Sequence, residues 1–191
     1  MDALIMAGGL GTRMGRGVKP LLTFKGRPLI EWILEAAAGC DSIENVFVAI
    51  TPETAQIKDA LKAEFIETKG KGFVDDLVSA IKQLGLKKTM VLSADLPLLT
   101  PVDLCWVIAE YKFASTPALA VYVPTRVYRD LGLQPSIEID GLVPAGVNIV
   151  DGADLNGAET RLVTENPRFA FNINTTGDLE KAIEYAKKNS S

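Results

Sequence analysis

Over the first 112 residues, apolar runs of strand length alternate with longer segments of helical periodicity, and this alternation narrows the fold more than any other feature. The runs at 3–7, 46–50 and 89–94 carry few polar residues, as strands buried on both faces do. After a short extended piece at 21–24, residues 28–38 place Leu29, Trp32, Ile33 and Ala36 on one helical face before Gly39 ends the pattern. Thr51 is placed to cap a second helix, with Pro52 at its first position and Ile57, Leu61 and Phe65 turned inward. A short strand at 66–68 and the helical segment FVDDLVSAIKQLG follow. A helix at 101–112 turns Leu104, Val107 and Ile108 inward, with Trp106 over the neighbouring surface. Strands separated by helices cannot pair as hairpins, so they lie parallel, joined by right-handed crossovers. The expected class is α/β, a mostly parallel central sheet flanked by helices on both faces.

The second part is less regular. Residues 118–123 read as a strand and 125–131 as a helical turn, while Ser136, Glu138 and Asp140 alternate with Ile137 and Ile139 as in a half-buried strand. In the next apolar run Pro144-Ala145-Gly146 predicts a bulge or an edge near a ligand, because proline removes a ladder hydrogen bond. Residues 151–166 read as a surface excursion and 169–173 as a return to the sheet, with Thr175 or Thr176 capping a last helix at 179–187. No repeat or linker divides the chain. Its 191 residues, 48% of them hydrophobic, suffice for one domain with a real core.

Composition removes several functions. A net charge of −4, with no basic stripe beyond the N-terminal loop, argues against a nucleic-acid partner. Apolar runs are strand-sized, and the N-terminus lacks the charged region and cleavage site of a signal peptide, so the expectation is a soluble, cytoplasmic protein with no membrane insertion. Cys40 and Cys105 stand alone in apolar surroundings and are expected to be buried small hydrophobes rather than a metal site or a disulfide. The chain has no histidine, which excludes Ser-His-Asp and Cys-His nucleophiles, His-ligated zinc and His general bases. Transfer onto a phosphate survives, because a phosphate oxygen is already ionised at neutral pH.

The first apolar run breaks into GGLGTRMGRGVKPLL. Gly8, Gly9 and Gly11 let backbone N–H groups turn toward phosphate oxygens, and Arg13 and Lys19 add cationic donors. Between Asp2 and Glu31 there is no carboxylate, whereas Arg13, Arg16, Lys19, Lys25 and Arg27 are basic, a local positive field in an acidic chain. The loop imitates the dinucleotide fingerprint, but the second strand ends in Thr51-Pro52 instead of an acid, and no G-K-[ST] follows as in a Walker A loop. A plain turn from strand to helix is the bland alternative. Gly70-Lys71-Gly72 is a second glycine loop able to lie over a nucleotide, or an ordinary flexible turn. Asp95, just beyond the 89–94 strand, sits where open parallel sheets bind ligands and suits Mg²⁺; its bland reading is a turn cap. Asn172 and Asn174 alternate onto one side, where an amide oxygen can complete a metal shell.

GGLGTRM followed by Lys19-Pro20-Leu21 resembles the N-terminal signature of the nucleotidyltransferases that include sugar-nucleotide pyrophosphorylases and molybdenum-cofactor guanylyltransferases. Within that superfamily, MDALIMAGG with KPL, GKGFVDDL, and QPSIEIDGLVPAGVNIV with FNINT are most similar to the archaeal adenosylcobinamide-phosphate guanylyltransferases. The resemblance covers essentially the whole chain and departs at Leu10, where relatives often carry a basic residue. It implies a single-domain Rossmann-like fold, GTP bound by about residues 1–112, and a corrinoid phosphate acceptor bound by about residues 113–191, with Mg²⁺ as cofactor. For the nucleotide it implies Ala7, Gly8, Gly9, Gly11, Thr12, Arg13, Lys19, Gly70, Lys71, Gly72, Asp76 and Ser93. Asp76 reads equally as a first-turn carboxylate complementing a helix dipole. For the acceptor the resemblance implies Pro144, Gly146, Asn148 and Asn172, for the metal Asp95 and Asn174, and for catalysis Arg13, Lys19 and Asp95. A guanylyltransferase acting on molybdopterin or phospholactate, or a nucleotide-binding regulator without chemistry, are the rival readings. An apolar strand edge in the second half is a candidate homodimer surface.

Overall fold

A computed structural model describes residues 1–9 and 17–189. The strands are β1 (Asp2–Met6), β2 (Thr23–Phe24), β3 (Arg27–Pro28), β4 (Val46–Ile50), β5 (Glu64–Glu67), β6 (Lys88–Ser93), β7 (Ala118–Pro124), β8 (Leu142–Asp151) and β9 (Glu159–Val163). The helices are α1 (Leu29–Ala38), α2 (Ile57–Ala60), α3 (Phe73–Leu84), α4 (Pro101–Tyr111), α5 (Thr125–Asp130) and α6 (Thr176–Lys188). One sheet of seven strands runs β5-β4-β1-β6-β8-β7-β9, and β2 and β3 form a separate hairpin. As expected, β5, β4, β1 and β6 are parallel; β8 runs antiparallel to both β6 and β7, and β9 parallel to β7. No helix among the described residues is long and apolar enough to cross a membrane.

Pleating sends alternate residues to opposite faces. Ile5, Val48, Ile50, Met90, Leu92, Val121, Val147 and Ile149 form the larger core with Leu29 and Ile33 of α1 and Leu104 and Val107 of α4. On the other face Leu4 and Ala49 pack against Ala80 and Ile81 of α3. Each fully buried Leu or Ile contributes roughly 1.5–3 kcal/mol. Trp32 is only half-buried: its Nε1 donates to the Phe24 carbonyl at 3.1 Å, and the Arg27 guanidinium lies over its ring. Trp106 packs edge-on against Phe169.

Several expectations are corrected. Cys40 and Cys105 are joined in a disulfide that ties the end of α1 to α4. The second helix stops at Ala60, and Phe65 belongs to edge strand β5, so Leu61 and Phe65 fitted helical spacing only by coincidence. Residues 136–140 are not a half-buried strand: Ile137 is 62% exposed, and a single bridge joins Ile139 to Leu142. Pro144 does not break β8 or place it at an edge. The last rung to β6 is Leu92 with Val147, so Pro144 lies where β8 pairs with β7 alone, and its missing N–H leaves no gap toward β6. The expected bulge is present: from the Ala120–Asn148 rung to the Tyr122–Pro144 rung, two steps along β7 span four along β8, so the extra residues fall within 145–147. Residues 159–163 form β9 inside what read as a surface excursion. Residues 169–173 do not join the sheet; a 3₁₀ turn, Pro167–Ala170, leads into an extended piece whose Ile173 N–H donates to the Asp95 carbonyl at 3.0 Å.

Candidate active site

Strands β5, β4, β1 and β6 end at the same side of the sheet, and the segments leaving them enclose a cavity of about 380 Å³. Of the residues expected around a nucleotide, Gly8, Gly9, Lys19 and Ser93 line it from one side, and Gly70, Gly72 and Asp76 from the other. Asp95 lines it as well. Gly11, Thr12 and Arg13 lie outside the described residues. Ala7 and Lys71 are not in the wall: the Ala7 N–H is held by the Ala49 carbonyl at 2.8 Å, and the Lys71 N–H points to Asp76. Asp76 organises the second glycine loop, its Oδ1 accepting from Gly70 N at 3.0 Å and Lys71 N at 3.3 Å. Arg27 is turned away to Glu31 and Glu35, which hold its guanidinium. Among the described residues of the basic N-terminal cluster, Lys19 is the one that reaches this cavity.

Two distant segments converge on Lys19, the one past β6 that carries Asp95 and the turn that carries Asn172 and Asn174. Its 3₁₀ turn, Lys19–Leu21, starts with Pro20 at the second position and delivers the ammonium to the Asp95 carboxylate and to Asn174 Oδ1, the latter at 2.7 Å. The Lys19 and Asp95 side chains are 12% and 14% exposed, so the pair is largely shielded from water. With its amide turned so that Nδ2 faces the carboxylate, Asn172 reaches Asp95 Oδ1 at 3.2 Å and Oδ2 at 3.0 Å. Asn174 is fixed in turn: its Nδ2 donates to the Asn172 carbonyl at 3.2 Å, and its N–H, with that of Thr175, donates to Asp178 Oδ2. Thr175 and Asp178 form the capping box of α6, so the cap and the site share one turn.

A second cavity, of about 300 Å³, opens beside this knot and takes Asn172, Asn174 and Asp178 as part of its wall. Pro144, Tyr128, Gln134 and Ile137 are also in it. Burial, and secondarily the charge of Asp178, push the Tyr128 hydroxyl well above its ordinary pKa and keep it a neutral donor. Two of the residues expected at an acceptor, Gly146 and Asn148, line neither cavity. Gly146 acts one layer behind: at φ +75°, a β-carbon there would stand 2.7 Å from Ser93 Oγ and 3.3 Å from the Asn172 side-chain amide, so its bareness lets β8 press against both. Asn148 is a rung between Val91 and Ala120.

Behind the asparagines the chain is clamped to α4. Arg168 grips the buried Asp103 carboxylate with Nε and Nη2, and Asn166 Nδ2 donates to the same group at 2.8 Å. Burial raises the pKa of Asp103, but the bonds from Arg168 and Thr100 and the guanidinium charge outweigh it and hold the carboxyl below its ordinary value. Sequence reasoning missed this clamp, whose partners are too far apart for any spacing to reveal. It also missed Thr51 and Thr68 in the first cavity, which stand just past β4 and β5 where a parallel-sheet reading had a signal for them. Gln134 and Tyr128 of the second carried none.

Residues 3–136 match the MobA-like NTP transferase domain. The sequence is 36% identical to the adenosylcobinamide-phosphate guanylyltransferase of Methanocaldococcus jannaschii over 98% of each chain. A probable molybdenum cofactor guanylyltransferase of Pyrococcus furiosus is 26% identical, covering 96% of this chain and 97% of that protein. The molybdopterin-guanine dinucleotide biosynthesis protein A of Archaeoglobus fulgidus has the same fold, with a TM-score of 0.72 at 19% identity over 98% of this chain and 100% of that one. With the domain match spanning well over half its length and a relative aligned almost end to end, the chain belongs to the MobA-like NTP transferase family.

Proposed function

We propose that this protein transfers GMP from GTP to adenosylcobinamide phosphate, giving adenosylcobinamide-GDP and pyrophosphate. The observation that carries the reading is the meeting of two cavities at one charged knot: Lys19 and Asp95 face the first, and Asn172 and Asn174, hydrogen-bonded to them, face the second. A two-substrate transferase needs that arrangement, since donor and acceptor must touch at a single point while the rest of each stays apart. The near full-length similarity to an adenosylcobinamide-phosphate guanylyltransferase supports this choice of acceptor.

In this reading GTP occupies the first cavity, with its phosphates at Gly8, Gly9 and Lys19, and Gly11, Thr12 and Arg13 taking part in holding them. An acceptor phosphate oxygen, reaching the knot from the second cavity, forms a bond to the α-phosphorus, and the bond to the bridging oxygen of the departing pyrophosphate breaks. Lys19 balances the charge that builds up there, a contribution realised in the transition state. Asn172 and Asn174 orient the carboxylate and the ammonium. The residues fit a hard cation: a carboxylate and an amide oxygen already converge on one positive charge, that of Lys19. Among the described residues there is no cluster of three or more acidic, His or Cys side chains, which suits an ion held by one carboxylate plus substrate phosphates. Asp95 and Asn174 would hold Mg²⁺, which when bound supplies further neutralisation of phosphate charge.

Pyrophosphate release, measured with GTP and MgCl₂ in the presence and absence of adenosylcobinamide phosphate, tests the proposal. Release that depends on the acceptor supports it. Release with molybdopterin or phospholactate instead would keep the chemistry and replace the acceptor, and GTP binding without any release would reduce the protein to a nucleotide binder.

A further inference from the structure

The geometry points to Glu53 as the residue that reads guanine. This rests on the nucleotide occupying the first cavity. In sheet order the wall is built by the segments after β5 (Thr68 and Gly70), β4 (Thr51 and Glu53), β1 (Gly8 and Gly9) and β6 (Ser93 to Asp95). Three strand spacings place the outer two about 14 Å apart, enough for a triphosphate at one end and a base at the other. Lys19 and Asp95 mark the phosphate end, so the base falls over β4 and β5.

The polar groups at that end are mostly engaged. Thr68 Oγ1 donates to the Ile50 carbonyl at 3.0 Å, Thr51 is in the Thr51/Thr54 capping box, and Asp76 Oδ1 carries the Gly70 and Lys71 amides. Glu53 differs. It is exposed, lines the cavity and makes no hydrogen bond or ion pair with another described residue. Its Oε2 stands 3.0 Å from where a β-carbon on Gly70 would lie, so the carboxylate leans over the bare glycine at the cavity's base end.

A carboxylate offers two acceptors side by side. Guanine presents N1–H and the N2 amino group side by side on one edge, and a charge-assisted bidentate pair follows. Adenine offers a lone pair at N1, which the carboxylate repels, and hypoxanthine has lost the amino donor. Xanthine puts a carbonyl where that amino group stands. An amide in place of the carboxylate reverses the last pairing, its oxygen taking N1–H and its NH₂ donating to the xanthine carbonyl.

The test is equilibrium binding of GTP, ITP, XTP and ATP to wild type, Glu53→Gln and Glu53→Ala, with thermal unfolding as the check on folding. The expected result is GTP at least tenfold tighter than ITP or XTP in wild type. In Glu53→Gln, GTP should weaken by at least tenfold and XTP become the tightest of the four. In Glu53→Ala the preferences should level. Unchanged GTP-to-XTP ratios in folded variants that still bind GTP overturn the role of Glu53 while leaving the nucleotide cavity in place. Absence of triphosphate binding in wild type overturns the nucleotide reading itself, and this inference with it.

Discussion

Replacing both cysteines of the Cys40–Cys105 bond should cost about 4 kcal/mol of stability, because the bond closes a loop of 65 residues in the unfolded chain. The chain-entropy relation gives about 14.5 cal/mol/K for such a loop, or about 4.3 kcal/mol at 25 °C. Unfolding entropy of about 2.1 cal/mol/K per residue, over 191 residues, converts this to a fall in Tm of about 10 °C. Cys40 is fully buried, so Cys40→Ala/Cys105→Ala is a cleaner perturbation than reductant added to the folded protein. Melts followed by circular dichroism supply the Tm, and alkylation of the unreduced, denatured wild type counts free thiols. Two alkylated cysteines would mean that the bond does not form. A bond present by mass but a Tm shift under about 2 °C would refute the loop-entropy argument itself. The bond also matters for the site, since α4 begins six residues past Asp95 and Gly39, next to Cys40, packs against Pro101.

Lys19→Ala should lower kcat by more than about a hundredfold, as for loss of one preorganised electrostatic donor, measured on a variant shown by its melt to be folded; near-normal turnover would sink its role. Gly146→Ala forces a β-carbon against Ser93 and Asn172 at a left-handed backbone position, at a cost of roughly 1–3 kcal/mol. Its kcat should fall by more than its KM for either substrate rises, and a raised KM with unchanged kcat would count against the link through Asn172 to the Lys19–Asp95 pair. Asp103 has a folded pKa below its unfolded one, so its stabilisation is complete above the ordinary carboxylate range and is lost as pH falls through the folded value. Asp103→Asn should therefore lower stability by about 2 kcal/mol at pH 7 and flatten the acid side of the stability–pH curve, whereas a parallel shift of the whole curve would contradict the linkage.

The parallel half of the sheet was legible because β1, β4 and β6 are buried on both faces and so read as unbroken apolar runs. Edge strands were not. In β5 the half-buried Phe65 and Ile66 lie between exposed glutamates, and Phe65 also completed a helical spacing from Ile57 and Leu61. In β9 a period of two was present, with Thr160 and Leu162 turned inward and Glu159, Arg161 and Val163 outward, but polar neighbours hid it. Phe169 to Ile173 failed for the opposite reason. Its residues are buried like a strand's, yet Pro167 starts a 3₁₀ turn, and the apolar side chains fill the core without joining a ladder. The two cysteines sit 65 residues apart, and nothing in such a separation distinguishes a bonded pair from two buried thiols.

The candidate site divides along the same line. Groups carried at the ends of strands or in the first glycine loop, namely Gly8, Lys19 and Asp95, were readable because residue type and position both pointed to phosphate and metal chemistry, whereas Asp76 came from the resemblance alone. Asn172 and Asn174 were readable as a pair, but not what holds them. That depends on Arg168 gripping Asp103, on Asp178 capping α6, and on Gly146 leaving room at φ +75°. None of these touches the first cavity, yet each sets the position of an amide that bonds Asp95 or Lys19. A partly buried ion pair such as Lys19–Asp95 is useful only when its geometry is held by further hydrogen bonds, since desolvation otherwise cancels the attraction. The clamp, the cap and the bare glycine therefore bear on function through that ion pair, so their loss should be felt in turnover before it is felt in the binding of either substrate.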